Sequence, residues 1–177
     1  YSKVVISGEG ADEMFGGYGR VQSSGFDYDK IEFIKKYFPK TLHKKMFNLI
    51  GSNTYYDWSK YGSQKDHFFD IYKWFEMDKK LNFFNKDIRD QLDNDVAINN
   101  FWEKEFDKLK NVENKEKIIY LFQKHHLRCL LHRLDLHSMC HSVEARVPFC
   151  DHRIMEFMNK VPYNLKFKWK NSFNKIS

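Results

Sequence analysis

Acidic residues and glycines are concentrated between Ser7 and Tyr18, where the sequence reads S-G-E-G-A-D-E-M-F-G-G-Y. Glycine lets a backbone approach a ligand closely, and the N–H groups of such loops can bind phosphate oxygens. Carboxylates repel phosphate, so they fit such a site only where a divalent cation lies between them or where they steer a substrate. The segment therefore predicts a nucleotide and metal site, and the structural alternative is a glycine-rich turn with solvated acids.

A second segment, from Arg133 to Arg153, interleaves charged and apolar residues densely. An unpaired buried charge is costly, so these charges should pair or line a site. We expect Glu144 and Arg146 to pair with each other's neighbours and to brace a site, and Arg133 to reach an anion. For each of the three, a structural ion pair explains the residue as well as catalysis does.

The elements that must position these segments are mostly helical. A β-type run over residues 3–6 precedes the loop, and residues 19–28 read as a polar loop. Apolar spacing predicts helices from Asp29 with a break at Pro39 and a stop at Gly51, then over 64–77, 86–93, 97–110, 114–140 and 151–158. We find one strand only. Since one strand cannot form a sheet, we expect its partners outside this chain.

The composition is that of one globular domain of 177 residues. A net charge of +6 leaves nucleic-acid binding open, but the lysines are mixed with acids, as on solvated helix faces. The three cysteines form no C-x-x-C pair, which predicts reduced, partly buried thiols in a cytoplasmic protein. No apolar run has the length of a membrane span. Because the chain begins on Tyr1, we expect it to be a piece of a longer protein.

Three stretches together resemble the synthetase domain of glutamine-hydrolysing asparagine synthetases. They are the loop Ser7–Tyr18, the D-x-x-S-M of residues 135–139 and the S-V-E-A-R-V-P-F of residues 142–149. The resemblance runs from Tyr1 to about Pro162, with residues 50–115 as a variable helical insertion. It implies an α/β fold of the adenine-nucleotide α-hydrolase-like (ATP-pyrophosphatase) type, mostly α-helical in this chain.

The same resemblance implies that residues 1–177 are a partial asparagine synthase domain. The family's phosphate-binding S-G-G-x-D-S loop and its N-terminal glutaminase domain are absent from the printed sequence. We therefore expect the fragment alone to be inactive. Leu136 and Cys150 replace the Arg and Leu that are common at these places in the family.

In this family ATP adenylates the side chain of aspartate, and ammonia from glutamine attacks the resulting β-aspartyl-AMP to give asparagine. The resemblance implies that Ser7 and Gly8 contact ATP and that Asp12 holds Mg²⁺ against the pyrophosphate. It places the Glu9 carboxylate and, with less similarity, Arg133 at the intermediate. Related β-lactam-forming synthetases have Tyr in place of Glu9, so Glu9 favours ammonia as the attacking amine.

The expected partners are aspartate, ATP, ammonia and a glutaminase domain of the same polypeptide, with a homodimer left open and with no nucleic acid or membrane. Three alternatives remain. One is a related amidotransferase for a different carboxylate, on a surface polysaccharide or a peptide. Another is a non-catalytic, basic helical module that binds nucleic acid. The last is a zinc site built on helically spaced residues, for which the candidates are His125, Cys129, His132, His137 and His141.

Overall fold

The computed structural model describes residues 2–22, 24–49, 61–73, 77–92 and 96–166. The chain divides into two compact units, Tyr1–Ser23 with Lys115–Ser177, and Ser24–Asn114. A π-helical turn at Phe122–His126 and a 3-10 turn at Pro148–Cys150 occur among the regular elements. The strands are β1 (Val4–Ile6) and β2 (Glu144–Arg146), and the helices are α1 (Ala11–Phe15), α2 (Gly19–Gln22), α3 (Ser24–Tyr37), α4 (Lys40–Leu49), α5 (Gln64–Tyr72), α6 (Met77–Leu81), α7 (Lys86–Leu92), α8 (Val96–Lys108), α9 (Asn114–Leu121), α10 (Leu127–Met139), α11 (His152–Lys160) and α12 (Tyr163–Lys166).

The first unit contains a two-stranded parallel sheet in which Val5 is paired with Ala145. The Ser7 N–H donates to the Arg146 carbonyl at 2.8 Å and extends the ladder beyond β1. The expectation that every partner of β1 lies outside the chain is therefore wrong. The strand β2 was missed because a three-residue Glu-Ala-Arg segment has neither β-branched residues nor an alternating apolar pattern.

The core of the first unit holds α1 in place. Met14 of α1 packs with Leu127 of α10 and Met158 of α11, and all three side chains are buried. Burying each of these apolar side chains contributes about 1.5–3 kcal/mol to the stability of the folded chain. The partly buried residues around this cluster are Leu131, Cys150, Met155 and Val161.

The helix predicted over 114–140 is confirmed, and it contains one irregular turn. The Leu127 N–H donates to the Phe122 carbonyl, five residues back, so the turn Phe122–His126 is π-helical. Such turns hold one residue more than an α-helical turn and occur frequently at functional sites.

The second unit comprises α3 to α8. Ile31, Ile34 and Phe47 form a core between α3 and α4, which confirms the helical spacing on either side of the predicted break at Pro39. The predicted loop over residues 19–28 is wrong, because α2 and the first turns of α3 occupy it. Burial of Tyr28 and of neighbouring small and polar residues of α3 outweighs the low helix propensity of this stretch.

An aromatic cluster joins α5 to α8 in the second unit. Phe68 lies 5.7 Å from Trp102 and 5.9 Å from Phe106 between ring centroids. The predicted helix over 64–77 is in fact interrupted, since α5 ends at Tyr72 and Lys73 is extended. The helices predicted at 86–93 and 97–110 are confirmed, and the predicted stop at Gly51 lies outside the described residues.

No helix in the described part of the chain is both long and apolar enough to cross a membrane.

Candidate active site

The parallel pairing of β1 and β2 brings the two predicted segments to one edge of the sheet. Residues 7–10 follow β1, and the turn Pro148–Cys150 follows β2. The two loops touch, since Cys150 Sγ lies 3.7 Å from the Glu9 carbonyl oxygen. Because ligands of α/β proteins bind at the carboxyl ends of parallel strands, this edge is the candidate site.

Gly10 allows the loop after β1 to approach the turn after β2 closely. Its φ of +94° lies in the left-handed region, and a Cβ there would lie 2.7 Å from Cys150 Sγ and 3.5 Å from Phe149 Cβ. Any side chain at this position would strain the backbone and collide with the thiol. Glycine is therefore required here for the close approach of the two loops.

Of the two residues predicted to contact ATP, Ser7 is partly buried and Gly8 is exposed. The Ser7 hydroxyl accepts a hydrogen bond from the Glu9 N–H at 3.3 Å, which closes the first turn after β1. A Cβ at Gly8 would meet no atom within 4 Å, so the surface beside it is open. This arrangement leaves room for a ligand, and the contact of Ser7 and Gly8 with ATP stays a prediction.

The structure brings the two predicted catalytic residues together. Arg133 Nη2 on α10 lies 3.6 Å from Glu9 Oε1, and their side chains are 60% and 26% exposed. An exposed pair of this kind contributes at most about 1 kcal/mol to stability. Structural bracing is therefore a weak explanation for the pair, while both groups are accessible to a ligand. Their catalytic roles stay predictions.

Asp12, the predicted magnesium ligand, is exposed in the first turn of α1. Its carbonyl oxygen accepts hydrogen bonds from the Gly17 N–H at 2.9 Å and from Gln22 Nε2 at 3.0 Å. Its carboxylate lies directly over Gly17, where a Cβ would come within 1.7 Å of Oδ1. The missing side chain of Gly17 thus makes room for the carboxylate.

Glu13, Tyr18 and His126 belong to the same candidate site, although none of them is among the site residues predicted from the sequence. Glu13 is 1% exposed, and the Tyr18 hydroxyl is hydrogen-bonded to its carboxyl group. His126 Nε2 lies 3.9 Å from Glu13 Oε1, and its ring is 5.1 Å from the Tyr18 ring, edge to face. A clue was available in the spacing of Phe122 and His126, which stack one turn apart at 4.4 Å.

Burial and charge shift the pKa values of this group together. Burial is the main reason why the pKa values of Glu13 and Tyr18 are raised. Burial, followed by the positive charge of Arg133, lowers the pKa of His126, which favours the neutral imidazole. Burial likewise raises the pKa of the Cys150 thiol and makes its thiolate rarer. The inner wall of the site is therefore a poorly solvated environment that disfavours charge.

Two exposed ion pairs lie beside the site. Arg146 Nε donates to Glu144 Oε1 at 2.9 Å, so these residues pair with each other. The expectation that each would pair with a neighbour of the other is therefore wrong. Arg153 Nη2 donates to Asp151 Oδ2 at 2.7 Å and, with a second bond from Nε, holds the pKa of that carboxyl well below its usual range. The expectation of pairing holds for Arg133, Glu144, Arg146, Asp151 and Arg153, although these pairs are at least partly exposed and not buried.

The candidates for a zinc site are not brought together. Among the described residues, no group of three or more His, Cys, Asp or Glu side chains is placed to hold a metal ion. All three cysteines are free, but Cys129 and Cys140 are exposed, so the predicted partial burial holds for Cys150 alone.

The structure is mostly helical with a small parallel sheet, and a loop of glycines and carboxylates follows one of the parallel strands. The family model described as asparagine synthase matches residues 1–172, and the chain therefore belongs to the asparagine synthase family. Comparison with curated proteins gave no match, and comparison with solved structures gave none either. The family assignment confirms the resemblance and supports a synthetase-type enzyme that uses ATP to form amide bonds.

Proposed function

We propose that this chain carries the amide-forming site of an enzyme that makes asparagine from aspartate and glutamine-derived ammonia through β-aspartyl-AMP. The observation that supports this proposal best is the Glu9–Arg133 pair, with 3.6 Å between Oε1 and Nη2 at the carboxyl end of β1. The pair offers a base and a cation at one place, and the transfer of an acyl group to ammonia requires both.

The proposed reaction has two steps. A side-chain oxygen of aspartate attacks the α-phosphorus of ATP, and pyrophosphate leaves. Ammonia then attacks the acyl carbon, the bond to AMP breaks, and the nitrogen must lose a proton. Glu9 accepts that proton, while Arg133 stabilises the negative charge on the acyl oxygen and phosphate. Ser7 and Gly8 line the open side, where the nucleotide binds.

Asp12 fits the magnesium that such a reaction uses. Mg²⁺ is usually bound in proteins through one or two carboxylates, with water and phosphate oxygens as the other ligands. A single exposed carboxylate beside the loop satisfies this requirement, and Gly17 leaves space for it. When bound, the ion would neutralise the leaving pyrophosphate.

The test is pyrophosphate release by the full-length polypeptide with ATP, aspartate and either glutamine or an ammonium salt. We expect Glu9→Ala to abolish asparagine formation and, because the intermediate is then not consumed, continuous aspartate-dependent pyrophosphate release beyond the first turnover, while glutamine hydrolysis continues. The ammonium salt keeps the assay independent of the glutaminase. Glu156→Ala is the matched control, because Glu156 is an exposed acid of α11.

Asparagine formation at the normal rate by Glu9→Ala would exclude Glu9 as the base. A wild-type enzyme that releases pyrophosphate with another carboxylate but not with aspartate would instead identify a related amidotransferase.

A further inference from the structure

The π-helical turn presents two side chains to the loop that carries the proposed site. Gln123 Nε2 donates to the Glu13 carbonyl oxygen at 3.4 Å and lies 3.5 Å from Met14 Sδ. His126, three residues later, directs its Nε2 toward the Glu13 carboxyl. The turn thus contacts both the backbone and the side chain of Glu13.

Glu13 has an unmet requirement that His126 is placed to satisfy. The residue is 1% exposed, and its Oε1 has no hydrogen-bond partner among the described residues. A buried polar atom without a partner is costly. His126 Nε2 lies 3.9 Å from that atom, so a small shift of either side chain makes a hydrogen bond.

The imidazole is held in this position on two sides. Phe122 stacks on its face at 4.4 Å between centroids, and the edge contact with Tyr18 is 5.1 Å. Tyr18 is itself bonded to Glu13 through its hydroxyl. The ring therefore belongs to a fixed group around the buried acid.

A change in the position of Glu13 would also displace Glu9. The two residues are four positions apart, and the short helix α1 that carries Glu13 is joined to the loop by hydrogen bonds from the Ala11 N–H to the Gly8 carbonyl and from the Met14 N–H to the Gly10 carbonyl. Arg133, the partner of Glu9, is two turns beyond His126 on the same continuous helical run.

We propose that His126 is a positioning residue, whose Nε2 holds the buried Glu13 carboxyl and thereby fixes Glu9 opposite Arg133. This inference rests on the proposed function for its effect on catalysis. The contact with Glu13 can be tested independently of catalysis.

The experiment is a double-mutant cycle of His126→Phe and Glu13→Gln in the full-length polypeptide. Phe keeps the stack on Phe122 but removes the ring nitrogen. We expect it to lower kcat for asparagine formation by about tenfold or more, with the KM for ATP unchanged. His126→Gln, which keeps a polar group, should retain most of the rate. In the Glu13→Gln background, His126→Phe should change kcat by less than about twofold.

The control is His132→Phe, because His132 is an exposed histidine of α10 outside the site. Additive losses in the cycle would overturn the proposal, as would a His126→Phe enzyme with normal kcat or with its loss confined to the KM for ATP. The proposal would also be overturned if His126→Phe and His126→Gln lower kcat equally and this loss persists in the Glu13→Gln background.

The same four proteins are compared by thermal unfolding, which does not depend on activity. Non-additive unfolding midpoints support the contact between His126 and Glu13, and additive midpoints refute it. If the wild-type enzyme makes no asparagine but the midpoints are non-additive, the proposed function fails and the contact survives. Failure of one proposal is therefore distinguishable from failure of the other.

Discussion

Gly10→Ala should destabilise the first unit severely, and the structure separates the cost into two parts. The left-handed φ of +94° costs a non-glycine residue about 1–2 kcal/mol. The new Cβ, 2.7 Å from Cys150 Sγ, adds an overpacking cost of about 1–3 kcal/mol. The expected loss of about 2–5 kcal/mol is a large fraction of the 5–15 kcal/mol typical of a folded domain.

Urea unfolding of Gly10→Ala, Gly8→Ala and the wild type measures this loss. Gly8→Ala is the matched control, because a Cβ there meets no atom within 4 Å. A second variant, Gly10→Ala with Cys150→Ala, removes the collision and leaves the backbone strain. Relative to Cys150→Ala alone, the Gly10 substitution should then cost only about 1–2 kcal/mol.

The reasoning is refuted if Gly10→Ala is as stable as Gly8→Ala. It is also refuted in part if the cost of Gly10→Ala is the same with and without the Cys150 thiol, because the close approach of the two loops would then not be its cause.

Two further predictions concern His67 and Arg133. Burial lowers the pKa of His67 to about 4, so between about pH 4 and pH 6.5 the unfolded chain binds the extra proton and stability rises with pH by up to about 3 kcal/mol. Urea unfolding of the wild type and of His67→Phe across this range should show a steeper rise of stability with pH in the wild type, and an equal slope in both would contradict the prediction. Arg133→Gln should lower the free energy of unfolding by less than about 1 kcal/mol yet lower aspartate-dependent pyrophosphate release by more than about tenfold. Arg128→Gln, an exposed substitution on the same helix, is the control, and comparable activity of the two variants would contradict the role of Arg133.

Helices with regular apolar spacing could be predicted from the sequence, because a buried helix face requires apolar residues at the helical period. Ile31 and Ile34 of α3 and Ile118 of α9 are spaced this way and are buried. The start of α3 could not be predicted, since Ser24 and Gly25 carry no helical signal and are buried by tertiary packing. The same holds for β2, whose pairing depends on a strand about 140 residues away in sequence.

The candidate site was predictable in its outer parts only. The charged residues of the glycine loop and of the apolar helix drew attention by their setting, the family resemblance assigned Glu9 and Arg133 to one site, and the structure has them 3.6 Å apart. Glu13 lies one position from Asp12 in the same acidic run, yet one carboxylate is buried and the other is exposed. Successive residues of a helix point about 100° apart, so the two carboxylates face different directions. Which of them is buried depends on how α1 packs against the π-helical turn, and this packing cannot be deduced from the local sequence.

The register of a single strand pair joins the two segments into one site. With Val5 opposite Ala145, the Gly10 loop meets Cys150 in van der Waals contact. A strand advances about 3.3 Å per residue, so a shift of one position would separate these atoms or drive them together. It would also exchange the faces on which Glu144 and Ala145 lie. Because β1 and β2 have only three residues each, the ladder alone specifies this register weakly. The contact at Gly10 and the packing of Met14 against Leu127 and Met158 must therefore specify it, so the loop that carries the site also helps to align the strands.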